Sequence, residues 1–193
     1  MKLTYAAWAL SAVFSGSVLA QTTQSAVQRD VNQEKRIEQG LKSGELNTKE
    51  ASRLEREEGR VNQMESKALS DGKPSDAEKK RIDREQNRVS KDIYREKHDA
   101  QTGNPDSASS KRMQADVQRN VNQQQRIEQG VQSGQLTNRE AGKLEHGQAH
   151  VDRKEARAGA DGHVGASEQK SIQNAENNQS KKIHREKHNH RQD

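Results

Sequence analysis

The stretch VNQEKRIEQGLKSGEL, Val31 to Leu46, returns ninety residues later as VNQQQRIEQGVQSGQL, Val121 to Leu136. Working outward from this block, Val27–His98 aligns with Val117–His188 without a gap, and 34 of the 72 positions are identical. The copies close on SKDIYREKH, Ser90 to His98, and SKKIHREKH, Ser180 to His188. An ungapped match of this length is a tandem duplication of one structural unit.

Apolar spacing resolves each copy into three helical segments. In the first, Val27, Val31, Ile37 and Leu41 share one helical face, and Ser43-Gly44 ends the segment. The second opens on Asn47 with Glu50 three residues on, the arrangement of a capping box, and Leu46 and Ala51 flank it as a hydrophobic staple. Thr137, Glu140, Leu136 and Ala141 repeat that chemistry. Ala51, Leu54, Val61 and Ala68 carry the stripe on to Asp71-Gly72-Lys73-Pro74, which breaks it. Ser75 and Glu78 open a third segment with the face Ile82, Gln86, Val89 and Ile93. The second copy has Gln179 for Val89 and Gly159 for Leu69, and Gly147, Gly159, Gly162 and Gly165 weaken its helices, so it is expected to be the less stable unit.

The N-terminus reads as an export signal: Met1 and Lys2, an apolar run from Leu3 to Phe14, then Val18-Leu19-Ala20 before Gln21. Cleavage is expected after Ala20. The competing reading, a membrane anchor, needs roughly 20 uninterrupted apolar residues, and Ser and Gly interrupt this run. The remaining chain keeps one aromatic residue, Tyr94, and has no cysteine for disulfides. It holds about 24 large apolar side chains, and a third of the sequence is charged, so a thick globular core is not expected. The expected architecture is all-α. Residues 1–20 form the signal peptide, 21–98 the first helical repeat, 99–112 a flexible linker and 113–193 the second repeat with a histidine-rich end. Each repeat is read as a three-helix hairpin or loose bundle.

Without Lys2, 33 basic residues face 29 acidic ones, and the two signs interleave as on solvated helix surfaces. With an export signal, this argues against a nucleic-acid partner, and no membrane association is expected after cleavage. Enzyme activity is not expected either: there is no cysteine, no serine elbow and no phosphate loop, and the carboxylates read as i, i+4 partners of Lys and Arg.

The candidate site residues are histidines. His146 with His150 and His184 with His188 are spaced i, i+4, so each pair shares a helical face and can chelate Zn²⁺, Cu²⁺ or Ni²⁺, with His190 as an additional ligand. Only His98 and His188 are common to both copies. The turns also carry half of a calcium-loop pattern in Gly44, Leu46 and Glu50, and in Gly134, Leu136 and Glu140, but the leading acidic positions are missing and helix capping explains the same residues. No other cofactor is indicated.

The pattern RIEQG, SGEL or SGQL, and SKxI with REKH resembles a group of small exported proteobacterial proteins built from one or two copies of this unit, over Val27–His98 and Val117–His188. The resemblance implies export to the periplasm or medium and a repeat structure, and carries no activity. The leading expectation is a non-enzymatic exported binding or envelope-stress protein whose amphipathic helices meet a protein partner or a second copy. The alternatives are a periplasmic metal binder using the C-terminal histidines and a largely disordered spacer.

Overall fold

A computed structural model describes the backbone of residues 17–189 and the side chains from Thr23 to Asn189; the first sixteen residues of the expected signal peptide, and His190, lie outside the described residues. The described chain is all-α, with six helices: α1 Ser17–Ser43, α2 Thr48–Ala68, α3 Asp76–Lys97, α4 Ala108–Gln132, α5 Asn138–Ala158 and α6 Ala166–Lys187.

The turn in the repeated block is made by its glycines. Leu46 folds back over the last turn of α1, its N–H donating to the Gly40 carbonyl at 2.9 Å. A Cβ on Gly40 would lie 2.6 Å from Leu46 Cδ1, so only glycine admits the leucine there. Gly130 and Leu136 repeat the contact with a corresponding 2.5 Å approach, and Gly44 and Gly134 supply the positive φ that reverses the chain. Beyond the turn, Asn47 Oδ1 accepts the Glu50 N–H at 2.9 Å while Glu50 Oε2 accepts the Asn47 N–H at 2.9 Å. Thr137 with Glu140 and Ser75 with Glu78 form the same reciprocal caps. At α6 the N-cap is Gly165, which offers no side chain, and only Glu168 reaches back to its N–H.

The two copies do not close as separate units. The largest interfaces are α2 with α5 and α1 with α4, both between copies. The pairs are antiparallel: Ser52 lies near Gly159 and Leu69 near Gly142, while Gln114 on α4 reaches the Leu41 carbonyl at the end of α1. One apolar core joins Ile37, Leu41, Leu46, Leu54 and Ile93 of the first copy to Met113, Val117, Val164 and Ile172 of the second. The other joins Ile127, Val131, Leu136, Leu144 and Ile183 to Val27 and Leu69. The molecule is thus a pair of copies about a pseudo-two-fold axis. This replaces the expectation of two loose bundles, for a physical reason: one copy has too few apolar side chains to bury its own stripe, and the other copy completes it. Among the described residues Tyr94 is the one large apolar side chain left exposed, so the stripes expected to seek a partner helix are already covered. The expected flexible linker is also seated. Gly103 N–H donates to the Gly44 carbonyl at 2.8 Å, and α4 begins at Ala108, inside the expected 99–112 segment.

The glycines of the second copy are packed rather than idle. A Cβ on Gly147 would fall 1.9 Å from Gln179 Oε1, and one on Gly159 would fall 2.7 Å from both Met113 Cε and Ser52 Cβ. Gln179, buried where the first copy has Val89, uses the space above Gly147 to donate to the Leu144 carbonyl at 2.8 Å. Gly147→Ala is therefore expected to lose about 1–3 kcal/mol despite its better helix propensity, because overpacking outweighs it. Adding Gln179→Val should recover most of that loss, as read by urea denaturation of each variant.

A buried carboxylate column as candidate cation site

Between α1, α2, α4 and α5 the chain buries acid instead of hydrocarbon. Asp30, Glu34, Glu55, Glu58, Glu65, Glu145, Asp152 and Glu155 are each no more than 1% exposed. No Lys or Arg is among the buried residues, and none of the ion pairs between described side chains involves any of these eight. Carboxylates are almost never wholly buried without a partner.

The helices dictate the column. On α2, Glu55, Glu58, Asn62 and Glu65 recur at spacings of three and four, forming a stripe beside the apolar Leu54 and Val61. The antiparallel α5 presents the matching stripe Glu145, Gln148, Asp152 and Glu155. Asp30 and Glu34 on α1 and Asn120 and Gln124 on α4 close the column from the other side. Every one of these positions is polar in both copies. Four of them differ only by exchanging a carboxylate for the carboxamide of the same shape: Asp30 with Asn120, Glu34 with Gln124, Glu58 with Gln148, and Asn62 with Asp152.

The exchange supplies donors where two acids would otherwise face each other. Asn62 Nδ2 donates to Asp152 Oδ2 at 2.8 Å, joining equivalent positions of the two copies. Asn120 Nδ2 donates to Glu155 at 2.7 Å and to Glu55 at 3.3 Å. Gln124 Nε2 donates to Glu145 at 3.1 Å and to Asn62 Oδ1 at 3.2 Å, and Gln86 on α3 donates to Asp30 at 2.7 Å and to Glu65 at 3.1 Å. These donors satisfy one oxygen of most acids and leave the second. Buried oxygens without a partner remain on Asp30, Glu34, Glu55, Glu65, Glu145, Asp152 and Glu155, and on the amide carbonyls of Gln86, Asn120 and Gln124. Glu58 has neither oxygen partnered, although it is fully buried and feels the charges of Asp30 and Asp152.

Two triads within the column converge. In Asp30, Glu65 and Glu145, and again in Glu34, Glu55 and Asp152, one oxygen from each residue lies within 4.8 Å of the other two. The triads differ in their surroundings. Glu65 also lines a cavity of about 150 Å³ walled by Thr23, Val27, Leu69, Pro74 and Ile82. At the related end of the molecule Met113, the counterpart of Thr23, is fully buried, and Asn120 stands where Asp30 would be. A third acidic group, Glu50, Glu96 and Asp99, is differently made: Arg53 pairs with Glu96 at 3.1 Å and Glu50 is occupied in capping α2.

The candidate histidines stay on the surface. His146 and His150 are exposed on α5, where partial desolvation of the imidazole, followed by the charges of Lys154, Arg153 and Lys182, holds His150 below its usual range. The His184 and His188 rings lie 4.2 Å apart, and His188 Nδ1 is 2.6 Å from the His184 carbonyl oxygen. Among the described residues no third ligand joins either pair. Glu50 and Glu140 of the half calcium loops act as cap residues. The column is not apparent from local sequence, because interleaved Glu and Arg have the pattern of solvated helix surfaces. The signal that could have found it is the alignment of the copies, which keeps these inward positions polar and swaps acid for amide at constant shape.

Burial pushes all eight carboxyl groups up. Asp30 rises from 3.8 to about 7 and Asp152 from 3.8 to about 8, in each case through desolvation against weaker hydrogen-bond stabilisation. Glu34, Glu55, Glu58, Glu65, Glu145 and Glu155 are raised by desolvation first and by neighbouring acids second. A raised carboxyl pKa means that the folded state holds more protons than the unfolded one. The associated stability is then fully present below the unfolded values and is lost as pH rises through the folded ones. Thermal melts in chelator are expected to show a Tm that falls steadily from about pH 5 to pH 9; a Tm that rose over this range would mean that the acids are not buried unpaired. Comparison with protein-family profiles, curated proteins and solved structures returned no match, so the column itself carries the functional argument.

Proposed function

We propose that this chain is a non-enzymatic, exported protein that binds hard divalent cations in its carboxylate column, with Asp30, Glu65 and Glu145 as the principal ligands. The observation that carries the reading is a buried, counter-ion-free acid cluster with unpartnered oxygens, joined by a fully unpartnered Glu58. A cation bound by oxygens at about 2.3–2.6 Å bridges ligands up to about 5 Å apart, which matches the spread within the triad. All the donors are oxygens, which favours Ca²⁺, Mn²⁺ or Mg²⁺ over the thiolate- and imidazole-seeking metals. The free carbonyl oxygen of Gln86 and the second oxygens of the acids extend the ligand set beyond three. The cavity beside Glu65 favours this triad over Glu34, Glu55 and Asp152, none of which lines it.

The test is calorimetric titration of chelator-stripped protein with Ca²⁺ and Mn²⁺, paired with thermal melts. Saturable uptake is expected, with stabilisation of about 2.7 kcal/mol at a hundredfold excess over Kd. Asp30→Asn, which copies the residue at position 120, should weaken binding at least tenfold without unfolding the chain. A variant with His146, His150, His184 and His188 changed to Ala should bind as before. Uptake that survived Asp30→Asn but vanished with the histidines would transfer the function to the surface pairs.

A further inference from the structure

Eight of the 29 acidic residues are in the column, which leaves 21 to balance the 33 Lys and Arg that follow Lys2. The even mixing of charge along the sequence is therefore not an even mixing on the surface. One cluster of it lines the groove between α2 and α3 of the first copy, a space of about 620 Å³. Arg60 and Lys67 on α2 and Arg81, Arg84 and Arg88 on α3 line it, all exposed, over a floor that includes Met64. Arg88 is already engaged by acids, bonded to Glu85 at 2.5 and 3.2 Å and paired with Asp92 at 3.3 Å and Glu57 at 3.7 Å, so Arg60, Lys67, Arg81 and Arg84 carry the charge left open to the groove. No ion pair or side-chain hydrogen bond between described residues uses Arg60, Lys67, Arg81 or Arg84, and Arg153 on α5 adds a further guanidinium at the margin by donating to Gln63 at 3.5 Å.

The second copy provides an internal comparison. The related groove between α5 and α6 has Ser171, Asn174 and Asn178 where the first has Arg81, Arg84 and Arg88. There Lys154 is engaged by Ser171 at 2.9 Å, and Glu168 shares the lining. Helix geometry is common to the two grooves, so the arginines are not demanded by the fold. They are an addition to one face.

We infer that the α2–α3 groove is a binding site for linked phosphate groups, either a linear oligophosphate or a head group carrying two phosphates. Guanidinium forks match phosphate oxygens two at a time, and several forks along one groove fit a chain of phosphates better than a single ion. Among the described residues no aromatic side chain lines the groove, so they offer no stacking surface for nucleic-acid bases.

The experiment uses the full chain without divalent cations, which oligophosphates would sequester. Binding is measured to tripolyphosphate by calorimetry, and to phosphatidylcholine vesicles with and without cardiolipin by flotation. The groove variant Arg60→Gln/Arg81→Ser/Arg84→Asn is compared with the control Lys154→Gln/Arg157→Gln, with circular dichroism verifying that both fold. Salt-sensitive binding to one or both phosphate probes is expected, at least tenfold weaker in the groove variant and nearly unchanged in the control. Tripolyphosphate alone would identify a free anion as the ligand, and cardiolipin vesicles alone a lipid head group. Absence of binding to both probes, or equal weakening in the two variants, would overturn the site. With divalent cations left out, neither result decides whether the column takes up cations.

Discussion

The structure turns on how eight carboxyl groups can be held out of water with no cationic side chain among them. A buried ionised carboxylate is costly enough that it is neutralised by a proton, a metal or a partner. Here the protein supplies carboxamides. Asn62, Gln86, Asn120 and Gln124 each donate to oxygens in the column, and all four lie at positions where the two copies have exchanged acid for amide, Gln86 standing opposite Glu176 in the alignment. That solution is incomplete by design of the inventory: an amide of this kind satisfies one oxygen per contact, and carboxylates carry two. The leftover acceptors are what give the column chemical potential for protons or cations.

Duplication makes this arrangement accessible. In a symmetric pair of identical units, each position near the axis would meet itself, acid on acid. Joining the copies in one chain lets each side diverge, so Asn62 can face Asp152 across the axis. The same freedom explains the compensated exchange of Val89 for Gln179 opposite Gly147, and the pairing of Met113 with Gly159. It also separates the ends of the column: the end nearest Asp30 keeps three carboxylates and a neighbouring cavity, while the end nearest Asn120 is internally hydrogen-bonded and filled.

Much of the local structure was legible in the sequence. The caps at Asn47, Ser75 and Thr137 and the break at Asp71-Gly72 are short-range features whose chemistry sits within a few residues, and each is realised in the helices. The pairing of helices was not legible, because periodicity identifies an apolar stripe without saying what covers it. Val27 reads as core of its own unit and, together with Leu69, completes the core of the other. The column was hidden for a related reason. Glu55 and Glu65 sit in runs such as RLEREEGR and QMESK, where neighbouring Arg and Lys suggest solvated pairs, and only the antiparallel approach of α5 removes them from water.

Helix α2 shows how the two surfaces of one element can be set against each other. Its inner face carries Glu55, Glu58 and Glu65, and its outer face carries Arg60 and Lys67, separated by roughly the 10 Å thickness of a helix. Over that distance, through protein rather than water, charges still interact appreciably. The positive face therefore favours ionised carboxylates within, and the lowering influence of Arg60 on Glu57, the half-buried chain neighbour of Glu58, shows the sign of the effect. An anion bound in the groove would cancel part of that field and leave the column more reluctant to ionise. The two proposed sites are thus linked through α2 by electrostatics alone, with no conformational change required, and the sign of the coupling follows from geometry: occupancy of the groove opposes ionisation of the column.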